Sequence, residues 1–311
     1  MSKIIIRSAG FLSTVQDCGR TGFQRFGMPV SGAMDVYSLH LANLLAGNPK
    51  CAAAIEATLT GPEIAFSSDG AIAICGADFG ASLNEKPVNM YETIFVKKGD
   101  VLKFSGLRNG CRTYIAFAGG IEVPVIMGSR STYLRAKTGG MDGRALVAGD
   151  IITLGEISTK VQLKKVPKAL VQDYSTEMPF RVIAGPEAKS LDFTGLRNFL
   201  TTEYRVTDQS DRMGLRLDGL PIKSINDNHD IISAGISPGT IQLPGSGLPI
   251  ILMADRQTTG GYLRIANVIS ADLDRIAQLK PGDKIKFHEI SLEKAHEILA
   301  ERDFLINKFL I

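Results

Sequence analysis

The sequence predicts a mainly β protein with a few helices, organised as two domains. Short β-rich runs alternate with turns built from the 32 glycines and 13 prolines of the 311-residue chain. One element occurs three times, at residues 98–104, 148–154 and 281–287: a Gly-Asp turn followed by a short β-rich run. Such turns are typical of hairpins in barrels and sandwiches, so we expect short paired strands in both halves of the chain.

A stretch without periodicity separates the two predicted domains. Between Gly155 and Pro179, charged and polar residues mix with apolar ones in neither a helical nor a strand pattern. We therefore predict an N-terminal β domain at residues 1–155, a linker at 156–178, and a C-terminal β domain at 179–311 that ends in a helix. Both domains have ordinary sizes.

Four segments have the capping residues and apolar spacing of helices. Ser31 or Asp35 can cap the first, and a second candidate covers residues 187–200. Ser270 can cap the third, and Ser291 begins the fourth, C-terminal helix. We therefore predict four helices in a chain that otherwise consists of strands and turns.

The composition disfavours several classes of function. The formal net charge is +3, and the chain has no basic stripe and no tryptophan, which argues against nucleic-acid binding. No apolar run reaches the roughly 18 residues that a membrane helix needs. The first seven residues are too short for a signal peptide and are predicted to be a strand. We expect a cytoplasmic protein that does not associate with membranes.

The cysteines do not indicate a disulfide framework or a metal site. The chain has four, widely spaced, without a CxxC pair and without a flanking histidine: Cys18, Cys51, Cys75 and Cys111. We therefore expect reduced thiols that act as small core residues, and no bound metal.

Common catalytic motifs are absent from the sequence. There is no GxxxxGK[ST] loop, no GxGxxG after a strand, no GxSxG elbow and no HExxH pair. None of the four histidines, His40, His229, His288 and His296, lies in a polar cluster. A Ser-His-Asp triad is therefore not expected.

What remains are compact turns in which arginine meets glycine, serine, threonine and aspartate. Arginine binds carboxylate or phosphate through a planar fork, and hydroxyls and glycine amides complete such a pocket. The candidate ligand-binding residues are Gln16, Arg20, Ser31, Asp35, Arg130, Ser131, Thr132, Arg212, Gln257, Thr258, Thr259, Gly260 and Gly261. Acid–base work would fall to Asp17, Asp211 or Asp255, with Asp35 as a further candidate. For the pairs Asp17/Arg20 and Asp211/Arg212, an ion pair that braces a turn is an equally good interpretation.

The segment from Asp255 to Tyr262 is the most informative part of the sequence, because it gathers several kinds of polar group within a few residues. It contains an acid, a guanidinium, an amide and two hydroxyls before a glycine pair, and it follows the apolar run 248–253, which is predicted to be a buried strand. Polar groups at the end of a buried strand need partners, and the glycine pair allows a ligand to come close. The alternative is a turn whose threonine hydroxyls bond their own backbone.

Eight segments, in this order, resemble the allophanate hydrolase subunit 2 family, also called the biotin-dependent carboxyltransferase family. They are residues 14–20, 31–35, 119–120, 128–132, 143–144, 210–214, 238–242 and 257–262. The chain departs from the family pattern at Cys18, where leucine is usual, at Leu248, where glutamine is usual, and at Leu263, where proline is usual. Leucine has no amide group, so the departure at Leu248 argues against an amide contact with a ligand there.

The resemblance implies a fold of two cyclophilin-like β-barrel domains. A free-standing chain of this length is most similar to the C subunits of 5-oxoprolinases, which act with the A and B subunits to open the 5-oxoproline lactam to L-glutamate. The resemblance thus implies a hetero-oligomer in which this chain contacts the B subunit directly. It also implies ATP with Mg²⁺, at a site shared with the B subunit, where phosphate transfer to the lactam carbonyl would make a better leaving group. Arg20, Arg130 or Arg212 would then receive the substrate carboxylate.

The family leaves two other functions open. One is a biotin-dependent carboxyltransferase component of the urea or allophanate type. Covalent biotin on this chain is not expected, because Asp35 stands in Ala33-Met34-Asp35 where a biotinyl-lysine motif has its lysine. The other is a regulatory protein that antagonises an inhibitor of a histidine kinase.

Overall fold

The computed structural model describes residues 2–157 and 161–310. The predicted fold class, mainly β with a few helices, is confirmed. The helices are α1 (Val36–Leu45), α2 (Phe193–Thr201), α3 (Ser270–Ile276) and α4 (Leu292–Leu310). No helix in these two stretches is both long and apolar enough to cross a membrane.

Strands are short and follow one another closely along the chain. The first twelve are β1 (Lys3–Ser8), β2 (Leu12–Gln16), β3 (Ala54–Thr58), β4 (Glu63–Phe66), β5 (Gly70–Asp78), β6 (Ala81–Leu83), β7 (Lys86–Pro87), β8 (Thr93–Val96), β9 (Val101–Phe104), β10 (Asn109–Phe117), β11 (Ile121–Glu122) and β12 (Ile151–Leu154). The others are β13 (Phe180–Ala184), β14 (Tyr204–Val206), β15 (Gly214–Asp218), β16 (Asp230–Gly235), β17 (Thr240–Leu243), β18 (Ile250–Leu252), β19 (Thr259–Val268), β20 (Lys284–Ile285) and β21 (Phe287–Glu289).

The chain divides into two compact units. Unit 1 consists mainly of Met1–Thr21 and Ser31–Gln172, and unit 2 of Gly22–Val30 and Asp173–Lys308. The domain limits given above remain a prediction, and three residues of the predicted linker, 158–160, lie outside the described stretches.

Unit 1 is built from two antiparallel sheets that share one hydrophobic core. The strand orders are β11-β12-β1-β4-β9-β6-β7 and β2-β3-β10-β5-β8. Strand β1 shows the alternation that such packing requires, since Ile4 and Ile6 are buried while Lys3 and Ile5 are exposed. Both sheets contribute to the same cluster of buried side chains, among them Ile4, Ile64, Phe66, Ile55, Ile72 and Ile115.

Unit 2 is built around one nine-stranded sheet. Its order is β20-β14-β15-β18-β17-β19-β13-β21, with β16 also paired to β19. All pairings are antiparallel except that of β13 with β21. Helix α2 covers this sheet through Phe199, whose ring stacks on Phe287 with 4.9 Å between the centroids. The long strand β19 pairs with three strands, β13, β16 and β17.

The three Gly-Asp turns are confirmed, and they share one geometry. They centre on Gly99-Asp100, Gly149-Asp150 and Gly282-Asp283, and β9, β12 and β20 follow them directly. Each glycine has a φ of 92° or 93°. Each aspartate accepts a hydrogen bond from the N–H three residues earlier, at 2.7–3.0 Å. The repeated sequence therefore encodes a repeated turn, in which glycine supplies the positive φ and aspartate closes the loop.

The helix predictions hold, with shifts at their starts. Asp35 rather than Ser31 caps α1, and Asp192 caps α2 by accepting the Gly195 N–H at 2.6 Å. Ser270 is the first residue of α3 instead of its cap. Before α4, the Ser291 hydroxyl accepts the Lys294 N–H at 3.2 Å, as expected of a capping serine.

The cysteine prediction is wrong for one pair. Cys18 and Cys51 form a disulfide, with 5.2 Å between their Cα atoms. Cys75 and Cys111 are free and buried, as expected. Burial, with a smaller contribution from the charge of Asp35, raises the pKa of the Cys75 thiol well above its ordinary value. Sequence spacing could not reveal the disulfide, because the two cysteines approach each other only through the path of the loops that flank α1.

A half-buried ion pair links the turn after β13 to β19. Glu187 accepts hydrogen bonds from Arg264 Nε at 2.8 Å, from Nη2 at 2.7 Å and from the Arg264 N–H at 3.1 Å. The guanidinium, followed by the backbone donor, lowers the pKa of Glu187 below its ordinary value. Because the folded-state pKa is the lower one, the pair stabilises the fold above about pH 4.3, and this stabilisation is lost as the pH falls through the lowered pKa.

Replacing Glu187 with glutamine should therefore produce a pH-dependent loss of stability. At pH 7 we expect the free energy of unfolding to fall by about 1–2 kcal/mol, a value that allows for solvent screening. The difference from wild type should shrink as the pH is lowered below about 4, where glutamate also loses its charge. Urea unfolding at a series of pH values measures it. The control is Glu203→Gln, at an exposed pair with Lys284, which should change less. A difference that stays constant with pH would contradict the assignment.

Candidate functional site

The Asp17 carboxylate joins two chain segments of unit 1, its own turn and residues 129–131. Its Oδ1 accepts hydrogen bonds from the Gly19 N–H and the Ser129 hydroxyl, both at 2.7 Å, and from the Ser131 hydroxyl. Its Oδ2 accepts the Arg130 N–H at 2.6 Å. Four donors surround a buried carboxylate, which favours a positioning role, so the acid–base role of Asp17 stays a prediction. We define the Asp17 cluster as residues 16–20, 31–35, 129–132 and 139–140.

Other predicted binding residues of this cluster meet at two backbone carbonyls. Gln16 Nε2 and the Ser31 hydroxyl both donate to the Thr132 carbonyl, at 3.1 and 3.2 Å. Arg20 is fully buried, and its Nη2 donates to the Ser131 carbonyl. Within the described stretches, Gln16 Oε1 is buried without a hydrogen-bond partner. The structure thus brings these residues together, and their binding roles stay predictions.

Arg130 contributes its backbone to the cluster, while its side chain is paired elsewhere. The guanidinium Nη2 lies 2.9 Å from Glu122 Oε2, and Nε donates to the Val123 carbonyl at 3.1 Å. The pair is partly exposed, with 32% of the Arg130 side chain accessible. A substrate carboxylate at Arg130 would therefore compete with a carboxylate of the protein.

Glycines let the segments of the Asp17 cluster approach one another. Gly32 has a φ of 84°, and a Cβ there would lie 2.7 Å from the Gly19 nitrogen. Gly139 has a φ of 71°, and a Cβ there would lie 2.0 Å from the Ser131 carbonyl oxygen. Only glycine fits both the backbone conformation and the space at these positions.

Gly32→Ala should destabilise the protein more than Gly99→Ala. Both glycines have positive φ, 84° and 92°, but a Cβ at Gly99 would meet nothing within 4 Å. Gly99→Ala should therefore cost about 1–2 kcal/mol, from conformation alone. Gly32→Ala adds about 1–3 kcal/mol because the new methyl group is forced against backbone atoms. Urea unfolding of both variants tests this, and equal losses would contradict the close packing of the cluster.

The N-terminus of α1 is already satisfied within unit 1. The Asp35 carboxylate accepts the Ser38 N–H at 2.8 Å and the Ser38 hydroxyl at 2.7 Å. The Met34 N–H donates to Glu56 at 2.8 Å, and the Asp35 N–H donates to the Tyr114 hydroxyl at 2.8 Å. These backbone donors are therefore not open to an external anion. Asp35 is fully buried as a helix cap, and its binding role stays a prediction.

Glu56 and Tyr114 were not predicted from the sequence. They lie on the neighbouring strands β3 and β10, and the Tyr114 hydroxyl donates to Glu56 Oε2 at 2.7 Å. Burial first, and then the charges of Glu56 and Asp35, raise the pKa of Tyr114 well above its ordinary value. The sequence did contain an indication of this contact: Glu56 is the single acid in the otherwise apolar run 52–57. A carboxylate in a buried strand is tolerated only when it has hydrogen-bond partners.

In unit 2, Arg212 and Asp255 form a buried ion pair. Arg212 Nε lies 3.0 Å from Oδ2 and Nη2 lies 3.2 Å from Oδ1, and the side chains are only 6% and 7% exposed. The Asp255 N–H also donates to the Arg212 carbonyl at 2.8 Å. The pair therefore ties the turn after β18 to the segment before β15. Its predicted catalytic and binding roles remain predictions.

Asp211 has a different environment. It is exposed, and its Oδ1 accepts the N–H of Met213 at 2.7 Å and that of Gly214 at 3.3 Å. These contacts are those of an aspartate that shapes a turn. Its acid–base role stays a prediction.

Arg256 is a buried guanidinium that was absent from the candidate residues. It is 6% exposed, Nη1 donates to the Met253 carbonyl at 3.1 Å, and Nε lies 3.4 Å from the Ile236 carbonyl. No carboxylate in the described part of the chain forms an ion pair with it, and burial lowers its pKa below the ordinary value. A desolvated cation without a counter-charge is expensive, and an anionic ligand would offset that cost.

A buried amide, Gln242, and a half-buried one, Gln257, lie beside a glycine in the same unit. Gln257 Nε2 donates to Gln242 Oε1 at 3.2 Å, while Gln242 Nε2 is buried and has no hydrogen-bond partner among the residues described. A Cβ at Gly260 would lie 2.5 Å from Gln242 Nε2 and 3.3 Å from the Ile236 side chain. Since Ile236 is also the residue that Arg256 contacts, we treat these groups together as the Arg256 cluster: Arg256, Gln242, Gln257, Gly260 and Ile236.

The remaining residues of the predicted segment lie at the start of β19. The Thr258 carbonyl accepts the Ile236 N–H at 3.1 Å, and Thr259 pairs with Gly235 of β16. Gly260 and Gly261 continue the strand without positive φ. Gly260 thus allows the Gln242 amide to come close without an unusual backbone conformation. The binding roles of Thr258, Thr259 and Gly261 stay predictions.

Sequence comparison identifies relatives over nearly the whole chain. Residues 26–289 match the family described as carboxyltransferase domain, subdomain A and B. The chain is 40% identical to the 5-oxoprolinase C subunit of Escherichia coli over 295 residues, which covers 95% of this chain and 93% of the relative. It is 36% identical to the 5-oxoprolinase C subunit of Haemophilus influenzae over 299 residues, covering 95% and 94%.

Solved structures give the same relationship. The urea amidolyase of Kluyveromyces lactis superimposes with a TM-score of 0.93 at 32% identity, over 99% of this chain but only 20% of the larger enzyme. The urea carboxylase of the same yeast gives the same score and identity, with 29% of its chain covered. Sequence and fold together show that this chain belongs to the carboxyltransferase domain family, as the resemblance predicted.

Proposed function

We propose that the chain is the C subunit of an ATP-dependent 5-oxoprolinase, which acts with the A and B subunits to open the 5-oxoproline lactam to L-glutamate. One observation carries the proposal: the buried guanidinium of Arg256 has no carboxylate partner in the described part of the chain. The 40% identity to the C subunit of a known 5-oxoprolinase, along 93% of that relative, supports the same choice.

The chemistry of 5-oxoproline suits the Arg256 cluster. Its carboxylate is an anion that a buried arginine binds strongly, through charge-assisted hydrogen bonds. Its lactam carbonyl is an acceptor for the Gln242 amide, whose Nε2 has no partner among the described residues. A buried donor without a partner costs about 1–3 kcal/mol, so filling it favours this class of ligand over one that lacks the carbonyl. Gly260 keeps the space in front of both amides free of a side chain.

The names of two relatives support the proposal that this chain has partner subunits. Two of them are named as the C subunit of 5-oxoprolinase, and this designation implies further subunits. We propose a hetero-oligomer in which this chain contacts the B subunit directly and the A subunit through the complex.

The residues at the start of α1 do not fit a nucleotide phosphate, although the sequence suggested an anion there. Their donors already bond Asp35, Glu56 and Tyr114. We therefore assign no ATP contact to a residue of this chain, and we propose that ATP with Mg²⁺ binds at a site formed partly by the B subunit.

Coexpression with the A and B subunits tests the proposal. The purified complex should form L-glutamate from 5-oxoproline only when ATP is present, and omission of this chain should abolish the reaction. This chain together with the B subunit, in the absence of the A subunit, should release ADP in response to 5-oxoproline. A complex that assembles but forms no glutamate would overturn the proposal and favour the regulatory function.

Carboxyl transfer is a second candidate, favoured by the TM-score of 0.93 with a urea amidolyase. It requires a separate biotin carrier and a biotin carboxylase. Transfer of labelled carboxylate from carboxybiotin to urea by this chain would support it, while glutamate formation by the complex would exclude it as the main activity.

A further inference from the structure

Three side chains that can bind a metal meet in unit 1, and one of them, Cys18, belongs to the Asp17 cluster. Cys18 follows β2, His40 lies on α1, and Cys51 lies in the loop between α1 and β3. His40 Nε2 is 3.4 Å from Cys18 Sγ and 3.8 Å from Cys51 Sγ. All three ligand atoms lie within 4.8 Å of one another. The 22 and 11 residues that separate them along the chain concealed this grouping.

The ligand set is chemically coherent. Two thiolates and one imidazole are ligands that Zn²⁺ and similar thiophilic cations prefer, and three protein ligands leave a fourth position for water or another ligand. With Zn–S bonds of about 2.3 Å, a tetrahedral site places its two sulfurs roughly 3.8 Å apart. The disulfide must therefore open before a cation can bind.

The site is accessible to both cations and reductants. Cys51 is exposed, and Cys18 and His40 are half-buried. This contrasts with Cys75 and Cys111, which are buried in unit 1. An exposed sulfur allows a small dithiol to attack the disulfide, which is the first step of exchange.

We propose that Cys18, His40 and Cys51 form a binding site for a thiophilic divalent cation such as Zn²⁺, which is available only when the Cys18–Cys51 disulfide is reduced. A dithiol reductant is oxidised to its own disulfide, and its two electrons and two protons convert the two sulfurs to thiols. The cation then displaces both thiol protons, forming two metal–thiolate bonds and one bond to neutral His40 Nε2.

Occupancy would act on the loop that carries Asp17 and Arg20. Cys18 stands between them, and the Gly19 N–H donates to the Asp17 carboxylate at 2.7 Å. A Cβ at Gly32 would lie 2.9 Å from the Cys18 carbonyl carbon, so the loop has little room to move on that side. The disulfide and the bound metal are thus two alternative cross-links that would hold the loop containing Cys18. This inference is independent of the proposed lactam-opening activity.

Cobalt binding to the full-length chain tests the site. The chain is reduced with dithiothreitol, desalted without oxygen and titrated with Co²⁺, which gives a thiolate-to-metal charge-transfer band. We expect one Co²⁺ per reduced chain, displaced by Zn²⁺, and no band with the oxidised chain. Because this comparison needs no substitution, it does not depend on the folding of a variant. An absent band in the reduced chain, or an equal band in the oxidised one, would overturn the proposal.

Variants then identify the ligands. Cys18→Ser and Cys51→Ser should each abolish the charge-transfer band expected of the site. His40→Gln should weaken binding by more than the roughly 10–100-fold that loss of an outer-shell partner costs. The matched control is Cys75→Ala, which removes a buried free cysteine and should leave binding unchanged. Retention of wild-type binding by Cys18→Ser and Cys51→Ser, each shown to be folded by circular dichroism, would equally overturn the assignment.

Discussion

Replacing Arg256 with glutamine should lower kcat/KM for 5-oxoproline in the assembled complex by about 10²–10³-fold. Truncating one partner of a buried, hydrogen-bonded charge pair at a binding site costs about 2–5 kcal/mol, a range that includes this change. The reason lies in the buried guanidinium, 6% exposed and without an ion-pair partner in the described part of the chain. The ligand carboxylate would be its counter-charge, so the loss should fall mainly on KM if Arg256 binds the carboxylate equally in ground and transition states.

Controls separate this role from a structural one. Arg256 also contacts the carbonyls of Met253 and Ile236, so the substitution can loosen the turn after β18. Arg256→Lys keeps the charge but loses the planar fork, and it should retain part of the activity. Arg216→Gln, at an exposed position on β15, should have wild-type kinetics. If Arg256→Gln is folded and its kcat/KM equals that of wild type, the substrate carboxylate binds elsewhere.

Replacing Arg212 with alanine should destabilise the protein by about 3–5 kcal/mol. Removing one partner of a buried pair leaves an uncompensated charge, here the carboxylate of Asp255 at 7% exposure. The double substitution Arg212→Ala with Asp255→Ala should recover part of the loss, because no lone charge remains. Urea unfolding of the two single variants and the double variant gives the coupling energy.

An exposed pair provides the comparison for Arg212. On α4, Lys294 Nζ lies 2.9 Å from Glu297 Oε2, and the two side chains are 60% and 66% exposed. Exposed pairs of this kind contribute little, so Lys294→Ala should change the stability much less than Arg212→Ala. If the two alanine variants lost similar stability, the Arg212–Asp255 pair would not be a strong internal link of unit 2.

The local features of this fold could be predicted from the sequence because their causes are local. A glycine followed by an aspartate fixes a turn through one positive φ and one hydrogen bond to the residue three positions earlier. Asp35 caps α1 through the Ser38 N–H, three residues away. Strand order depends on contacts between distant segments, so local patterns could not predict it. The expectation of two cyclophilin-like β-barrel domains therefore rested on the family resemblance.

Long-range pairings escaped prediction for a physical reason. Several partners of the right charge exist for each arginine, and only the folded backbone selects one of them. Arg212 meets Asp255, which lies 43 residues further along the chain. Arg256 stood in a polar segment of the sequence, but its burial, with no carboxylate partner among the described residues, is a property of the folded unit alone.

The composition of unit 2 has a consequence for how the protein is made. Gly22–Val30 belongs to unit 2, although unit 1 contains the chain on both sides of it. This segment is synthesised before most of unit 1. It can pack into unit 2 only after the residues from Asp173 onwards have been synthesised. A fragment that starts at Asp173 would lack one of its own pieces. Production of unit 2 alone would therefore require a gene that joins Gly22–Val30 to Asp173–Lys308, rather than a simple truncation.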